Sequence, residues 1–424
     1  MKITAFALSF ITILSATACK ETVNEKEKEE AKAKGSTTVQ TAIGELTLPA
    51  PYSSESVTKR SGMEEWPEDQ TPQAPAGFIV TKFAGDLDNP RNTYIAPNND
   101  VFVAESNTHS SADRITVFQD KDNDGTFETR AVFLEGLNQP YGMLVLNNYF
   151  YVANTDGLYR YPYKEGATKL EGKGEKIVAL PAGGYNNHWT RNLLANKDGS
   201  KIYISVGSAS NNAEHGMDEE KRRANILEIN PDGSGERIFA SGLRNPVGMD
   251  WNPANSELWT AVNERDDLGD NLVPDYITSV KEGGFYGWPY CYFGQIEDPR
   301  MEGKGKDLVA KAIVPDVPVG SHTASLGITF YNNDAFPDRY KNGVFVGQHG
   351  SWNRSQLSGY KVLFIPFENG KPSGKPEDFL TGFIADEKKA KVYGRPVDVT
   401  VMKDGSLLIN DDSGNTIWRV AANK

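Results

Sequence analysis

The 424-residue sequence predicts an all-β fold, a six-bladed β-propeller. Two observations carry this expectation. Forty Gly and 23 Pro imply many turns and favour strands over helices. One phrase also recurs six times: a turn with Pro or Gly, an apolar strand, an Asn/Asp/Gly turn, a second apolar strand and a polar ending. Copies spaced by roughly 50 residues, each with several strands, are what propeller blades look like in sequence. A β-sandwich or a pair of small barrels is the alternative reading of the same strands.

The ends come first. Lys2 followed by the apolar run Ile3 to Leu14 reads as a secretion signal, too short to span a membrane. Ala16-Thr17-Ala18-Cys19 reads as a lipoprotein processing site, which would make Cys19 the lipidated first residue of a protein tethered on the periplasmic or cell-surface side of a bacterial membrane, the outer membrane included. The other cysteine is Cys291, so a lipidated Cys19 leaves no disulfide within the mature chain. Residues 20–43 are rich in Lys and Glu and are expected to form a flexible tether, with at most a transient helix over the Glu-Lys-Glu-Lys run. Residues 44–76 read as an extended arm, and 77–424 as the propeller. The net charge of −12 argues against a nucleic-acid partner.

The repeats follow in order. The first runs through Asn89-Pro90-Arg91 and Val101 to Ala104, ending in Glu105-Ser106. The second begins at Gln139-Pro140-Tyr141-Gly142 and ends in Asn154-Thr155. The third begins at Tyr185-Asn186-Asn187-His188-Trp189-Thr190-Arg191 and ends in Gly207-Ser208. The fourth begins at Arg244-Asn245-Pro246 and ends in Asn263-Glu264. The fifth begins at Ser325-Leu326-Gly327 and ends in Gln348-His349. The sixth begins at Arg395-Pro396-Val397 and ends in Asp411-Asp412. Third strands follow at Ile115–Phe118, Leu158–Tyr161, Ile226–Ile229, Tyr360–Ile365 and Ile417–Val420. Longer gaps around the fifth copy imply insertions there.

In such a blade the turn before strand one and the end of strand two share a face. That expectation gathers His188, Arg191, Arg244, Asn245, Glu264, Arg265, Asp266, His349, Arg354 and Arg395 in one funnel. Several arginines in an acidic protein imply an anionic ligand held by forked contacts. His322 precedes the fifth blade and is placed at the rim; His109 and His215 lie in polar loops. A second pattern, Asp120-Lys121-Asp122-Asn123-Asp124-Gly125, copies the first half of a calcium loop, with Ala131 where a bidentate Glu belongs and Glu128 nearby. A plain polar hairpin turn is the alternative.

Together, Asn187-His188 with Arg191, Gly242-Leu243-Arg244-Asn245-Pro246, Gly283 to Pro289, Gly347-Gln348-His349-Gly350-Ser351-Trp352-Asn353-Arg354 and Gly394-Arg395-Pro396 resemble the soluble pyrroloquinoline-quinone (PQQ) sugar dehydrogenases, with the L-sorbosone dehydrogenase type as the nearest branch. The resemblance covers about Gly44 to Val420. It implies a six-bladed propeller, PQQ over the channel with a calcium ion, and a histidine that takes the sugar hydroxyl proton while hydride passes to the quinone. By motif position His188 is that base. Arg244, Asn245 and Arg395 fall on cofactor contacts, as do Arg191, Arg265, His349 and Arg354 more loosely. Glu264 to Asp266 falls on the calcium loop. Two departures, Asn187 in place of an Asp and Pro396-Val397 in place of a second arginine, put glucose itself in doubt. Without a Cys-x-x-Cys-His haem site, the electron acceptor is expected to be a separate cytochrome or quinone. A non-catalytic propeller binding carbohydrate or protein, and a calcium-dependent lactonase-type hydrolase, are the competing functions; a hydrolase has less need of so many cations.

Overall fold

The computed structural model describes residues 24–122 and 124–423. Six four-stranded antiparallel sheets follow one another around a ring. Blade 1 holds Pro90–Ile95, Val101–Glu105, Arg114–Gln119 and Thr129–Leu134. Blade 2 holds Met143–Leu146, Tyr149–Asn154, Gly157–Pro162 and Glu175–Ala179. Blade 3 holds Leu193–Ala195, Ile202–Val206, Asn225–Ile229 and Arg237–Ser241. Blade 4 holds Pro246–Trp251, Leu258–Val262, Pro274–Ser279 and Val317–Ser321. Blade 5 holds Ser325–Phe330, Val344–Gln348, Lys361–Ile365 and Glu377–Leu380. Blade 6 takes Pro396–Val401, Leu407–Asp411 and Thr416–Ala422 from the C-terminus, and Phe78–Ala84 from the N-terminus as its outer strand.

The second strand of each blade is buried along almost its whole length, because a sheet lies on either side of it. These strands therefore read as continuous apolar runs. Outer strands such as Glu175–Ala179 and Glu377–Leu380 are half exposed and carry charges. The inner strands meet closely around the axis. A Cβ on Gly248 would come within 2.5 Å of Leu326 O, and one on Gly327 within 2.6 Å of the Asp398 Cα. Glycine is needed there for close approach, not for a turn. Tyr141, Val247, Leu326 and Val397, from four different blades, pack together as an apolar floor under the funnel. Polar bonds tie blade to blade: Asn92 Nδ2 to Tyr141 O at 2.9 Å, Asn192 Nδ2 to Val247 O at 3.0 Å, Phe330 N to Asp250 Oδ2 at 2.7 Å and Thr93 N to Asp398 Oδ2 at 3.0 Å.

The expected flexible tether over 20–43 is corrected for its described part. Glu25–Ala33 is a helix started by a capping box: Asn24 Oδ1 accepts from Glu27 N at 3.0 Å, and Glu27 Oε2 from Asn24 N at 3.1 Å. The Lys/Glu run that looked too polar to fold supplies ion pairs along the helix, and Ala31 is buried. A hairpin, Thr37–Thr41 with Gly44–Leu48, then lays Val39, Leu46 and Leu48 on the blade 4 core. The arm continues to Gly62–Met63, which pairs with Lys391–Val392, and Trp66, which stacks on Tyr393 with ring centroids 4.8 Å apart. Cys19 lies outside the described residues.

Candidate active site

His188 stands in the entry turn of blade 3. Its Nδ1 is 2.8 Å from Ser208 O, a group that only accepts, so Nδ1 carries the proton and donates. Nε2 is left with its lone pair and has no protein partner among the described residues. The turn is stitched to its neighbours by Asn187 N to Ala209 O at 2.8 Å and Ser208 N to Arg244 O at 2.7 Å. Gly207 makes this possible, since a Cβ there would stand 2.5 Å from the His188 Cβ. The same Cβ would strike Asn245, whose buried Oδ1 has no partner. Burial, then the Arg244 guanidinium, pushes the His188 imidazole down to about 3, so it is neutral at physiological pH.

Arg244 is 1 % exposed and its donors are in use. They reach Asn211 O at 3.1 Å, Asn211 Oδ1 at 3.0 Å, Glu264 O at 2.7 Å, Asn263 Oδ1 at 3.1 Å and Asp266 Oδ2 at 3.2 Å. It is held as a fixed charge beside His188. The other Asp266 oxygen accepts from Asn353 Nδ2 at 2.6 Å and lies 3.2 Å from His322 Nδ1. His322 Nε2 donates to Gly269 O at 3.0 Å. Burial opposes a charge on His322, but Asp266 and the Gly269 carbonyl outweigh it and raise the imidazole above its usual range. Burial likewise pushes Asp266 up, and Arg244, His322 and Asn353 outweigh it and hold it low.

The opposite wall is built by blades 1, 5 and 6. Arg91 pairs with Asp412 Oδ2, and His349 Nε2 donates to Asp412 Oδ1 at 2.8 Å. Arg395 Nε donates to His349 O at 2.9 Å and Nη2 to Gly350 O at 2.8 Å, which leaves Nη1 unused on a half-buried side chain. Burial, then Arg395, pushes the His349 imidazole down to about 4. Arg91 lies over the Trp189 ring at 5.4 Å, which joins this wall to the His188 turn. At the mouth three arginines, Arg91, Arg244 and Arg395, face two carboxylates, Asp266 and Asp412.

Several expected site residues are placed elsewhere. Arg191 is fully buried beneath the His188 turn, donating to His188 O at 2.8 Å, Thr190 O at 2.9 Å and Pro181 O at 2.7 Å. It shapes the turn and cannot reach a ligand. Arg265 and Glu264 are also buried, paired with each other at 2.9 Å, and Arg265 holds the blade 4 insertion through Pro289 O, Cys291 O and Asp298. Arg265 is therefore corrected as a cofactor contact. Glu264 and Asp266 are corrected as metal ligands through their side chains, because Arg265 pairs with the first and Asn353, Arg244 and His322 hold the second. Arg354 sits on the rim, donating to Ser358 Oγ at 2.9 Å and Asn271 Oδ1 at 2.6 Å. Asp120, Asp122, Asp124 and Glu128 do converge, with one oxygen each within 4.8 Å of the others, on the face opposite the funnel. Their oxygens also cap the turn's own amides, as in Gly125 N to Asp120 Oδ2 at 2.8 Å.

Arg91, Asp412 and Asn353 were missed as site residues, and His322, expected at the rim, is joined to the site through Asp266. The repeat held a signal for the first two: Arg91 occupies the entry-turn place of Arg244 and Arg395, and Asp412 the strand-two ending of Glu264.

Fold and site together define a six-bladed propeller with a cationic, histidine-bearing funnel. Residues 72–423 match the TrAA12-like family model, and the chain belongs to that family. An uncharacterized protein of Borreliella burgdorferi is 29% identical over 364 residues, 82% of this chain and 90% of that one. The aldose sugar dehydrogenase of Escherichia coli is 28% identical over 185 residues, 40% of this chain and 47% of that protein. The holo PQQ domain of Coprinopsis cinerea pyranose dehydrogenase shares the fold, with a TM-score of 0.69 at 19% identity over 86% of this chain and all (100%) of that one.

Proposed function

We propose that this protein is a PQQ-dependent oxidoreductase that oxidises an aldose, a sorbosone-like aldehyde or a related sugar, with His188 as general base. One observation carries the proposal: a neutral imidazole with a free Nε2 stands at the mouth of a funnel where cationic groups outnumber carboxylates. The family and the named relatives support the same reading. PQQ is a planar tricarboxylate, and the residues fit it. Arg395 has a spare donor, and Arg91 and Arg244 add charge. When bound, PQQ supplies the two-electron acceptor. His188 Nε2 takes the hydroxyl proton, and Nδ1–H on Ser208 O holds the tautomer that can do so.

Calcium is part of the proposal, but not through the side chains of Glu264 and Asp266. The electron acceptor is a separate cytochrome or quinone. Lipidation at Cys19 would hold the protein at a membrane on the periplasmic or cell-surface side; mass spectrometry of the mature N-terminus tests it, and an unmodified terminus downstream of Cys19 refutes it. The function is tested by titrating PQQ into the protein with calcium or with a chelator, following absorbance, then screening sugars with an artificial dye. A calcium-dependent spectrum and dye reduction by a sugar are expected. No PQQ uptake would overturn the reading.

A further inference from the structure

Residues 52–60 run from the 268–270 loop of blade 4 to the 352–355 loop of blade 5. Tyr52 N donates to Leu268 O at 2.8 Å, and the Tyr52 ring packs on the blade 4 core. Gly269 N donates to Ser56 Oγ at 3.1 Å, and Asp270 N to Ser54 Oγ at 2.9 Å. Gly269 has φ 114°, and a Cβ on it would meet Ser54 O at 3.0 Å, so glycine lets the arm and the loop lie this close. Farther along, Lys59 N donates to Trp352 O at 2.8 Å and its ammonium to Ser355 O at 3.1 Å, while Arg60 stands 5.6 Å over the Trp352 ring.

The arm grips the loop that carries one wall of the site. The Gly269 carbonyl holds His322, His322 faces Asp266, and Asp266 pairs with Arg244 beside His188. Surface loops without such anchors are the mobile parts of a fold. The family match begins at residue 72, so this arm lies outside the part of the chain that the family model describes.

We propose that residues 52–60 are a positioning strap, which fixes the 266–271 and 351–355 loops in the arrangement that receives the anionic ligand. Tyr52, Ser54 and Ser56 act through the loop and not on the ligand. Only the ligand's identity rests on the proposed function.

The test uses the full chain with Tyr52→Ala, Ser54→Ala and Ser56→Ala combined. A second variant, Tyr52→Phe with Ser54→Thr and Ser56→Thr, keeps the ring and both acceptors. Amide hydrogen exchange is measured without cofactor. Exchange at Gly269 and Asp270 should rise about tenfold or more in the alanine variant and stay within about twofold in the conservative one, since each lost hydrogen bond is worth on the order of 1 kcal/mol. PQQ affinity with calcium should fall by about five- to twentyfold in the alanine variant and recover in the conservative one. Unchanged exchange at the two amides overturns the strap. Faster exchange with PQQ affinity and KM within about twofold overturns its positioning role. If the unaltered protein takes up no PQQ, the functional reading falls instead; the exchange result, obtained without cofactor, then decides alone whether the strap holds the loop.

Discussion

An ordinary histidine titrates near 6.5, and His188 is held down to about 3 by burial and by Arg244. The consequence is a flat acid limb. Between about pH 5 and 8 the base is already neutral, so sugar oxidation limited by chemistry should not rise through 6.5, as the unperturbed value would require. His188→Gln should keep the fold and PQQ binding while turnover falls by about 10²–10⁴, measured with artificial dye. A loss of only a few-fold would move the base elsewhere. His349 is the other depressed histidine, with its folded value about 4. Its folded state resists a proton that the unfolded chain accepts near 6.5. Its contribution to stability is therefore complete above 6.5 and lost as the pH falls toward 4. His349→Gln should shrink the drop in urea midpoint between pH 7 and 4.5; an unchanged drop would assign the acid loss to other groups. At this scale the sequence was legible in part. It singled out His188, Arg395 and Asn245 because turn position decides the face. It could not separate an arginine that points into the funnel from one folded away from it, as Arg191 is beneath its entry turn and Arg265 is into the blade 4 insertion, because such arginines look alike in sequence whichever way the side chain goes.

Among elements, the blade 4 insertion is held by a buried charge group. Arg265 lies between Glu264 and Asp298, and Arg300 joins Asp298 at 2.8 Å. All four side chains are at or near full burial, so removing one partner strands a charge away from water. Arg265→Ala should cost about 3–5 kcal/mol in urea unfolding. Arg339→Ala breaks an exposed pair with Glu377 and should stay within about 1 kcal/mol. Equal effects would mean the buried group is relaxed by water. The elements differ in how clearly they can be read. Second strands such as Ile202–Val206 are covered on both faces and announce themselves as apolar runs. Outer strands such as Glu175–Ala179 are half wet, and their charges hide them. Pro274–Ser279 was missed because Pro and Asp break its run; Asp275 is in fact buried and accepts from Glu264 N and Ser325 N. The helix Glu25–Ala33 was expected to be transient at most, because composition outweighed its capping box, which was visible as Asn24 with Glu27.

At the scale of the whole molecule the ring is closed by partners from opposite ends of the chain. Phe78–Ala84 pairs with Thr416–Ala422, from Phe78 opposite Ala422 to Ala84 opposite Ile417, with one register shift between Ile417 and Trp418. Counting repeats gives the number of blades but not this seam, because the outer strand belongs to the last blade and stands in sequence before the first. Trp418 is the side chain on which the seam converges. It is 2 % exposed, packs edge-on against Trp66 of the arm at 5.2 Å and lies under the Lys82 ammonium of the closing strand at 5.9 Å. One residue thus touches the last blade, the strand that closes it and the arm that leads there. Opening the ring at the seam strips the outer strand from blade 6 and leaves Thr416–Ala422 as a bare sheet edge. Trp418→Ala should therefore lower stability by about 3–5 kcal/mol, as for other buried tryptophans. It should do so as a single transition in urea, followed by both fluorescence and circular dichroism. If the two probes separate, with blades 1 to 5 outlasting blade 6, the ring does not unfold as one unit and the seam is only a local contact.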